Sequence, residues 1–472
     1  MKNTKILFII ITYTFIKSTV FGSSYYISQE STGNASGYTY ANRMSIFVHN
    51  SRNFEPGDVI YLTGNIMTPV VPQSSGEKGK EIIYDGNDNK NPPGNIRVSS
   101  SQIAFPLNGQ SYLKIQNLEL SGGKEGFSRN KGWSSYITFV RNKIHGMRNR
   151  GIVGGRLDHW VIGGSYGDGN TIYDCGIDTA GGDIALSSEA SDVLISYNHL
   201  YGNTINEGVD GVVTEGAGPG IIIEANKIHD HWREDGVDIK GSNGVVIRCN
   251  EIFGHKRQMG ITIQFDSSDI KIYGNRIYNN GSGIWLRDGS GKGTWTHDIE
   301  IRSNAIHDNL RNGIVNTHRA EWDMGVRDVI IENNIIAHNS NKPEDISNCG
   351  LYIGSGSNWF ISKNIFYMNR FGDSQYYYRQ VYIGNGQTDS TVLSFNIYYT
   401  EPLAPEIYWG NIGWKTLPEL KLLNMNKSGQ VIDPGLKNSN ALEKAYHTLI
   451  ESVCSNSSLQ NNLRPPGNLK LK

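Results

Sequence analysis

The chain has 472 residues, of which 38% are hydrophobic, 19% are charged and 55 are glycine. This length would allow two or three ordinary domains unless the chain is a repeat, and the composition is neither that of a disordered chain nor that of a helical bundle. A formal net charge of −1 excludes an overall field that would concentrate nucleic acid or an anionic membrane, so a polyanionic ligand would need a local basic group or a bound cation.

The N-terminus has the pattern of a cleavable signal peptide. Lys2 and Lys5 precede an apolar run from Ile6 to Ile16, and Lys17 interrupts the sequence that follows. The apolar run is roughly half of the ~20 residues that a membrane span needs, which argues against a membrane anchor. We predict a signal peptide at residues 1–22 and a mature chain that is secreted or periplasmic and not attached to a membrane.

One asparagine recurs through most of the chain. Most copies follow alternating apolar residues and are themselves followed, two residues later, by an apolar residue or tyrosine, which is a period-two strand pattern. The copies are spaced by 24 to 32 residues and lie at Asn117, Asn142, Asn170, Asn198, Asn226, Asn250, Asn275, Asn304, Asn334, Asn364 and Asn396. Asparagine tolerates left-handed bends, and stacked side-chain amides can bond to one another, so we expect a ladder.

Two further columns keep the same spacing. Five residues after the first asparagine, a second asparagine column is formed by Asn203, Asn280, Asn309, Asn339 and Asn369. Three residues after it, a mainly aromatic column is formed by His145, Tyr173, Tyr201, His229, Phe253, Tyr278, His307 and Tyr367. We interpret the histidines of this column as structural members of a stack.

Each interval holds two or three short strands and has no room for a long helix. Without a covering helix, parallel strands can pair only if the chain coils and each turn pairs with the turn below at ~4.8 Å. The sequence therefore predicts an all-β, right-handed parallel β-helix of about ten coils. We expect an N-terminal cap and first coils at 23–110, the core at 111–400 and a C-terminal capping segment at 401–472, in which two short helices cover the last coil.

The four cysteines do not form a recognisable ligand pattern. They lie at Cys175, Cys249, Cys349 and Cys454, with no Cys-x-x-Cys pair. This spacing argues against a zinc site or a redox motif.

Three successive coils each contain a strand that begins with glycine, and the residues after the glycine alternate between the inner and the outer face. The three strands are Gly236-Val-Asp-Ile-Lys240, Gly260-Ile-Thr-Ile-Gln264 and Gly283-Ile-Trp-Leu-Arg287. Alternation directs one set of residues inward, namely Val237, Ile239, Ile261, Ile263, Ile284 and Leu286. It directs two columns outward, Asp238, Thr262 and Trp285 in one, and Lys240, Gln264 and Arg287 in the other.

Four carboxylates crowd onto this outer face. Asp210 lies one coil before Asp235, since both precede Gly-Val, and Glu234 and Asp238 complete the group. Like charges this close repel unless a cation lies among them, and a hard cation such as Ca²⁺, which takes six to eight oxygen ligands, would satisfy them. The alternative is that the Asp-Gly pairs form turns and that the acids are solvated.

The acidic group carries a resemblance to a known family. Asp210, followed one coil later by Glu234-Asp235-Gly236-Val237-Asp238, resembles the calcium-binding aspartate set of family nine polysaccharide lyases, the β-helix pectate lyases. Three ligand positions match as aspartate and the fourth is Glu234. The resemblance implies a Ca²⁺ site and β-elimination on a uronic acid polymer of the pectate or rhamnogalacturonan type.

The basic residues of the face are the candidates for the base that removes a proton. Lys240 is the first candidate and Arg287 the second, whereas the family's lysine lies further downstream, at a distance comparable to that of Lys271. A lysine base needs a lowered pKa, which we expect from Ca²⁺ and Arg287.

Three residues near the acids are the candidates for substrate contacts. They are Trp285, Gln264 and His231. For Trp285 the interpretations are a platform on which a sugar stacks and a residue that packs at the sheet edge.

Other functions are compatible with the same residues. A β-helix glycoside hydrolase would use paired carboxylates such as Asp235 and Asp238, although the Asn-Thr-Asp, Gly-His-Gly and Arg-Ile-Lys motifs of polygalacturonases are absent. An epimerase and a noncatalytic carbohydrate-binding solenoid are further alternatives. For the lyase we expect an acidic polysaccharide as substrate, a monomer, and no nucleic acid partner.

Overall fold

The computed structural model shows a parallel β-solenoid of about eleven turns, as the repeat predicts. It describes residues 22–176, 181–202, 209–287, 295–317, 325–340, 348–369, 379–385, 390–401, 403–423, 426, 428–436 and 439–455. The predicted signal peptide at 1–22 lies outside these residues except for Gly22. None of the helices in these ranges is long and apolar enough to cross a membrane.

Each coil contributes one strand to each of three long sheets. The 15-stranded sheet contains Met44–Ser45, Ser24–Ser28, Val59–Leu62, Ile82–Asp85, Leu113–Gln116, Ile137–Val140, Val161–Ile162, Leu194–Ser196, Ile221–Glu224, Asn243–Arg248, Ser268–Tyr273, Thr296–Arg302, Val326–Glu332, Ser357–Ser362 and Thr391–Ser394. The 14-stranded sheet contains Asn65–Ile66, Asn95–Arg97, Glu119–Ser121, Lys143–His145, Thr171–Tyr173, His199–Tyr201, Lys227–His229, Glu251–Phe253, Arg276–Tyr278, Ala305–His307, Ile335–Ala337, Ile365–Tyr367, Ile397–Tyr399 and Gln430–Val431.

The third long sheet carries the outer face singled out in the sequence. This 13-stranded sheet contains Ile103–Pro106, Glu125–Ser128, Arg150–Gly154, Gly181–Ser187, Val209–Glu215, Val237–Lys240, Met259–Gln264, Ser282–Arg287, Ile314–Thr317, Leu351–Ile353, Arg379–Ile383, Glu406–Trp409 and Trp414–Thr416. A fourth, 3-stranded sheet contains Ser134–Ser135, Leu157–Asp158 and Ala190–Ser191. The α-helices are Ile46–His49, Leu417–Leu422 and Ser439–Cys454, and the 3₁₀ helices are Tyr40–Asn42 and Gly410–Ile412.

The asparagine ladder is confirmed from Asn142 to Asn396. In each rung the side-chain oxygen accepts hydrogen bonds from the backbone amide and the side-chain amide of the asparagine in the preceding coil. Asn275 accepts both from Asn250, each at 3.0 Å. The ladder residues themselves are not left-handed; in most coils that conformation belongs to the residue just before, such as Cys249 (φ 56°). The tolerance of asparagine for left-handed bends is therefore not used at the rungs, because the bend precedes the rung by one residue.

Asn117 is not a member of this ladder. The backbone amide of Leu118 donates to Asn142 Oδ1 at 3.1 Å, so Leu118 occupies the rung and Asn117 occupies the bend at φ 57°. The Asn117 side chain instead bonds to Asp85. A one-residue offset of this kind is invisible in the spacing, because bend and rung are adjacent.

The two other columns are also formed. Asn280, Asn309, Asn339 and Asn369 bond in sequence, and Asn203 lies outside the described residues. The aromatic column stacks at 4.7–5.5 Å from His145 through to His307. At the next coil the column holds Ala337, and the Tyr446 ring covers His307 at 4.1 Å instead.

The C-terminal helix Ser439–Cys454 does not cover the last coil, and the prediction that it does so is wrong. It lies against the side of the 14-stranded sheet, where Tyr446 fills the aromatic column and Glu443 bonds to Arg276 at 2.6 Å. A disulfide between Cys249 and Cys454 fixes its end to a coil 205 residues earlier. The physical reason is that Ala337 leaves a space at this side that the helix fills with an aromatic side chain.

Replacing Asn250 by alanine is expected to lower the free energy of unfolding by about 1–3 kcal/mol, because buried groups lose their partners. The Asn250 side chain donates to Ile223 O and Asn275 Oδ1 and accepts from Asn226. Asn243, an exposed asparagine in the same coil, is the matched control, and its alanine variant should change stability by less than about 0.5 kcal/mol. Equal denaturation midpoints for the two variants would contradict the ladder.

Replacing His255 by asparagine is expected to make the protein more resistant to acid. Burial lowers the pKa of His255 well below its ordinary value of 6.5, so the folded protein keeps it neutral while the unfolded chain takes up a proton. Its contribution to stability is therefore lost as pH falls below 6.5. Asparagine is what the same column carries at Asn280, and its side chain does not titrate.

The stability difference between the His255→Asn variant and the unmodified protein should consequently grow as pH falls below 6.5, because only the unfolded chain takes up the proton. Chemical denaturation at several pH values measures it. A difference that stays constant with pH would show that His255 protonates freely in the folded state.

Candidate functional site

The register of the 13-stranded sheet brings the predicted acids together. Val212 pairs with Val237, which places Asp210 directly beside Asp235 in the next coil, and the Asp235 amide donates to Asp210 Oδ1 at 3.0 Å. Asp238 lies in the same strand as Val237. One carboxylate oxygen from each of Asp210, Asp235 and Asp238 lies within 4.8 Å of the others, and all three residues are buried.

Burial and mutual repulsion raise the pKa values of these three carboxyl groups. The pKa of Asp235 is raised to about 7, first by burial and then by the Asp238 carboxylate. The pKa of Asp210 is raised well above its ordinary value by burial, by Asp238 and by Asp235. Burial also raises the pKa of Asp238, although Lys240 partly opposes that effect. The protein's own residues thus leave the cluster short of positive charge.

Glu234 stands apart from this set of three. It is half-buried, and its pKa is raised by burial and by Asp238 while Lys240 lowers it. It therefore lies within electrostatic reach of the cluster without belonging to it. Its assignment as a fourth metal ligand stays a prediction.

Lys240 is the cation that the fold places among the acids. Its Nζ lies 2.8 Å from Asp238 Oδ2 and 3.9 Å from Asp210 Oδ2. Burial by itself lowers the pKa of Lys240, but Asp238 and Asp210 outweigh it and the net shift is upward. The sequence predicts a lowered pKa for Lys240, and for the protein's own residues this prediction is wrong, because the two carboxylates raise that pKa.

Gln264 links Asp238 to the second basic residue. Its amide nitrogen donates to both Asp238 oxygens, at 2.8 and 3.1 Å, and its oxygen accepts from Arg287 Nη1 at 2.6 Å. Only 3% of Gln264 is exposed. Here it holds the aspartate and the guanidinium in place, and its contact with a substrate stays a prediction.

Trp285 occupies the outward column two coils above Asp238, as predicted. Its indole nitrogen donates to Thr317 Oγ1 at 2.8 Å, and the Arg287 guanidinium lies 4.5 Å from the ring centroid. A cation–π contact of this kind fixes the ring and covers part of it. Thr317, which sequence reasoning missed, orients the tryptophan from the neighbouring strand.

Two other predicted residues are not on this face. His231 is fully buried, its Nε2 lies 3.1 Å from Asp183 Oδ2, and its ring stacks on His255 at 5.2 Å. Its predicted role in binding substrate is therefore wrong for this structure, because it occupies the interior column five residues after Asn226. Lys271 lies in the 15-stranded sheet and pairs with Asp269 at 3.1 Å.

The donor set fits a hard divalent cation. The three aspartates supply only oxygen atoms, which Ca²⁺ and Mg²⁺ prefer, and soft ligands are absent from this group. Three carboxylates against one ammonium in direct contact leave an excess of two negative charges when all are ionised. Asp210, Asp235 and Asp238 would hold such an ion, and the six to eight oxygens that Ca²⁺ takes would have to include further ligands, such as Glu234, water or a ligand carboxylate.

Comparisons with known proteins support the fold. Residues 202–322 match the family described as right handed beta helix region. A mannuronic acid specific polysaccharide family 6 lyase from human gut microbiota has 13% sequence identity and a TM-score of 0.54, over 93% of this chain and 98% of that one. No curated protein matches the sequence.

Two further solved structures are similar at lower scores. Pectate lyase Pel9A has 16% identity and a TM-score of 0.42, over 66% of this chain and 75% of that one. The A-module of the mannuronan C-5 epimerase AlgE6 from Azotobacter vinelandii has 14% identity and a TM-score of 0.45, over 86% of this chain and 93% of that one. At these identities the likeness concerns the right-handed β-helix alone.

Proposed function

We propose that this protein is a calcium-dependent polysaccharide lyase that cleaves a uronic acid polymer by β-elimination. The observation that carries the proposal is the meeting of three buried carboxylates with Lys240 and Arg287 on one outer face. The acids suit a cation that would bind the substrate carboxylate, and the bases suit removal of a proton. Pectate and rhamnogalacturonan are the first candidate substrates.

The reaction needs one proton removed and one bond broken. A cation bound by Asp210 and Asp238 would oppose the two carboxylates that keep the pKa of Lys240 high, and Lys240 in its neutral form would then accept the C5 proton. The electron pair of that C–H bond becomes the C4–C5 double bond. The C4 glycosidic oxygen then leaves with its bonding electrons and takes a proton from water. A bound Ca²⁺ would neutralise the substrate carboxylate and make the C5 proton more acidic.

Other side chains of the face support these steps. Asp238 contacts Lys240 directly and so fixes the position of its nitrogen. Arg287, held by Gln264 and by Trp285, offers a fixed positive charge to the developing enolate, and it is the second candidate for the base. Trp285 would contact a sugar at the edge of the site.

A hydrolase is the second candidate, and it also has a specific observation in its favour. Carboxylate oxygens of Asp235 and Asp238 lie within 4.8 Å of each other, and the pKa of Asp235 is raised to about 7 by burial and by Asp238. A protonated acid beside an ionised one is the arrangement of retaining glycosidases, whose carboxyl groups lie about 5–5.5 Å apart. The two basic side chains on the same face, Lys240 and Arg287, favour the lyase, because a retaining glycosidase needs only its two carboxyl groups.

Incubation with a panel of polymers tests the proposal. The panel contains pectate, rhamnogalacturonan, alginate and glycosaminoglycans, and polymannuronate is included because a structure with the same fold is a mannuronic acid specific lyase. We expect ultraviolet absorption from unsaturated ends on one of them, abolished by chelator and restored by Ca²⁺. New reducing ends without that absorption would indicate the hydrolase.

We further propose that the protein acts outside the cytoplasm as a monomer. The disulfide between Cys249 and Cys454 supports export, because structural disulfides persist in oxidising compartments. The signal peptide and the monomeric state stay predictions, as does the absence of a nucleic acid partner.

A further inference from the structure

The outward column that contains Asp238 and Trp285 continues through four more coils. Trp285 pairs with Val315, Val315 with Tyr352, Tyr352 with Tyr382, and Tyr382 with Tyr408. The neighbours of these tyrosines in each strand point inward and are buried, whereas the tyrosines are half-buried. The column therefore presents aromatic side chains on the same face as the acid cluster.

The three tyrosines are ordered as a stack. The rings of Tyr352 and Tyr382 lie 4.5 Å apart at an interplanar angle of 9°, and those of Tyr382 and Tyr408 lie 4.3 Å apart at 8°. Trp414, in the antiparallel strand that ends the sheet, meets Tyr408 edge to face at 5.3 Å. The Arg379 guanidinium lies 4.7 Å from the Trp414 ring and supports it.

Parallel stacking along the solenoid axis turns the ring edges and phenol ends towards solvent. Such a surface is rigid, combines apolar carbon with hydroxyl groups, and costs little side-chain entropy when a ligand binds. A sugar polymer has matching C–H and hydroxyl groups. At ~4.8 Å per coil, Tyr352 lies roughly 20 Å from Asp238 along the axis and Tyr408 roughly 30 Å.

We propose that Tyr352, Tyr382, Tyr408 and Trp414 form a second binding subsite for the polymer whose reacting unit lies at the acid cluster. This inference rests on the proposed function for the identity of the ligand. The polymer then lies along the solenoid axis towards the C-terminal coils, and its binding strengthens once it is long enough to reach from Asp238 to Tyr352.

The test compares Tyr382→Ala with the unmodified enzyme on oligomers of increasing length. We expect KM for polymer and long oligomers to rise about tenfold with kcat unchanged, because only uniform binding is lost. The shortest oligomer that is cleaved should show no change. Tyr382→Phe keeps the ring and should retain most of the affinity.

Tyr136 provides the matched control. It belongs to a stack of similar geometry, 4.5 Å from Tyr112 and from His159, away from the 13-stranded sheet, and it is 41% exposed. Tyr136→Ala should leave KM unchanged for every length. Circular dichroism and thermal melting would check that both variants are folded.

Affinity electrophoresis in gels that contain each polymer of the panel separates this inference from the proposed function. Retarded migration of the unmodified protein and of Lys240→Ala, lost in Tyr382→Ala, supports the subsite even if no polymer is cleaved. A folded Tyr382→Ala variant with unchanged KM at all lengths and unchanged retardation overturns it. Absence of retardation of the unmodified protein by every polymer overturns it as well.

Discussion

Replacing Asp235 by asparagine is expected to abolish calcium-dependent turnover. The variant keeps a side-chain oxygen to accept from the Met259 amide, a bond of 2.8 Å in this structure, so the coil should fold as before. It removes one of the three charged oxygen ligands, and calcium affinity should fall at least about tenfold because it depends on ligand charge. Activity should fall by about 10² or more at calcium concentrations that saturate the unmodified enzyme.

Calorimetric titration with Ca²⁺ measures the affinity directly, and the unsaturated-product assay measures turnover. Asp269→Asn is the control, because Asp269 is an exposed acid in the 15-stranded sheet and pairs with Lys271. It should bind calcium and turn over normally. Chelation of the unmodified enzyme should reproduce the loss, and added Ca²⁺ should reverse it. An Asp235→Asn variant that binds Ca²⁺ as tightly as the unmodified protein would show that the cation does not bind at this cluster.

Replacing Lys240 by alanine is expected to separate turnover from binding. Loss of a general base costs about 10²–10⁴ in kcat. Calcium affinity should stay the same or increase, because the ammonium group that contacts Asp238 at 2.8 Å and Asp210 at 3.9 Å no longer competes for these carboxylates. Retardation by polymer should persist.

Two further variants distinguish a base from a counter-charge. Lys240→Arg retains the positive charge beside Asp238 but is a far poorer proton acceptor at neutral pH, so it should remain inactive. Recovery of activity in this variant would mean that Lys240 acts through its charge alone. Lys271 lies in a different sheet, so the Lys271→Ala variant should have full activity. An inactive Lys271→Ala variant together with an active Lys240→Ala variant would show that Lys271, and not Lys240, is the base.

The regular part of the fold could be predicted because each coil repeats the same local solution. The strand alternation recurs from coil to coil, and the rung asparagine recurs from Asn142 to Asn396. The inward set at Val237, Ile261 and Ile284 followed from alternation alone. The pairing of Asp210 with Asp235 followed from the shared Gly-Val that comes after each. The outer columns of the site were predicted on the same basis.

Features that depend on long-range packing could not be predicted in this way. The helix Ser439–Cys454 is placed by the space beside Ala337 and by a disulfide to Cys249, and both of these residues lie far from the helix in the sequence. The upward shift in the pKa of Lys240 results from the Asp238 and Asp210 carboxylates, which come together only in the fold.

The interior position of His231 could have been found from the sequence. It lies five residues after Asn226, at the spacing of the second asparagine column, and His255 lies five residues after Asn250 in the same way. Extending the coil alignment past Arg287 would likewise have placed Tyr352 and Tyr382 in the outward column.

In the proposed reaction this face removes the C5 proton of a uronic acid unit and breaks the bond at C4. Proton NMR of the cleaved polymer in D₂O, with Ca²⁺ present, follows that proton directly. We expect products whose non-reducing ends carry a C4–C5 double bond and have lost the C5 proton signal. Shortened chains that retain the C5 proton at every ring would rule out β-elimination. Uncleaved chains that carry deuterium at C5 would show that the face removes the proton without breaking the bond at C4.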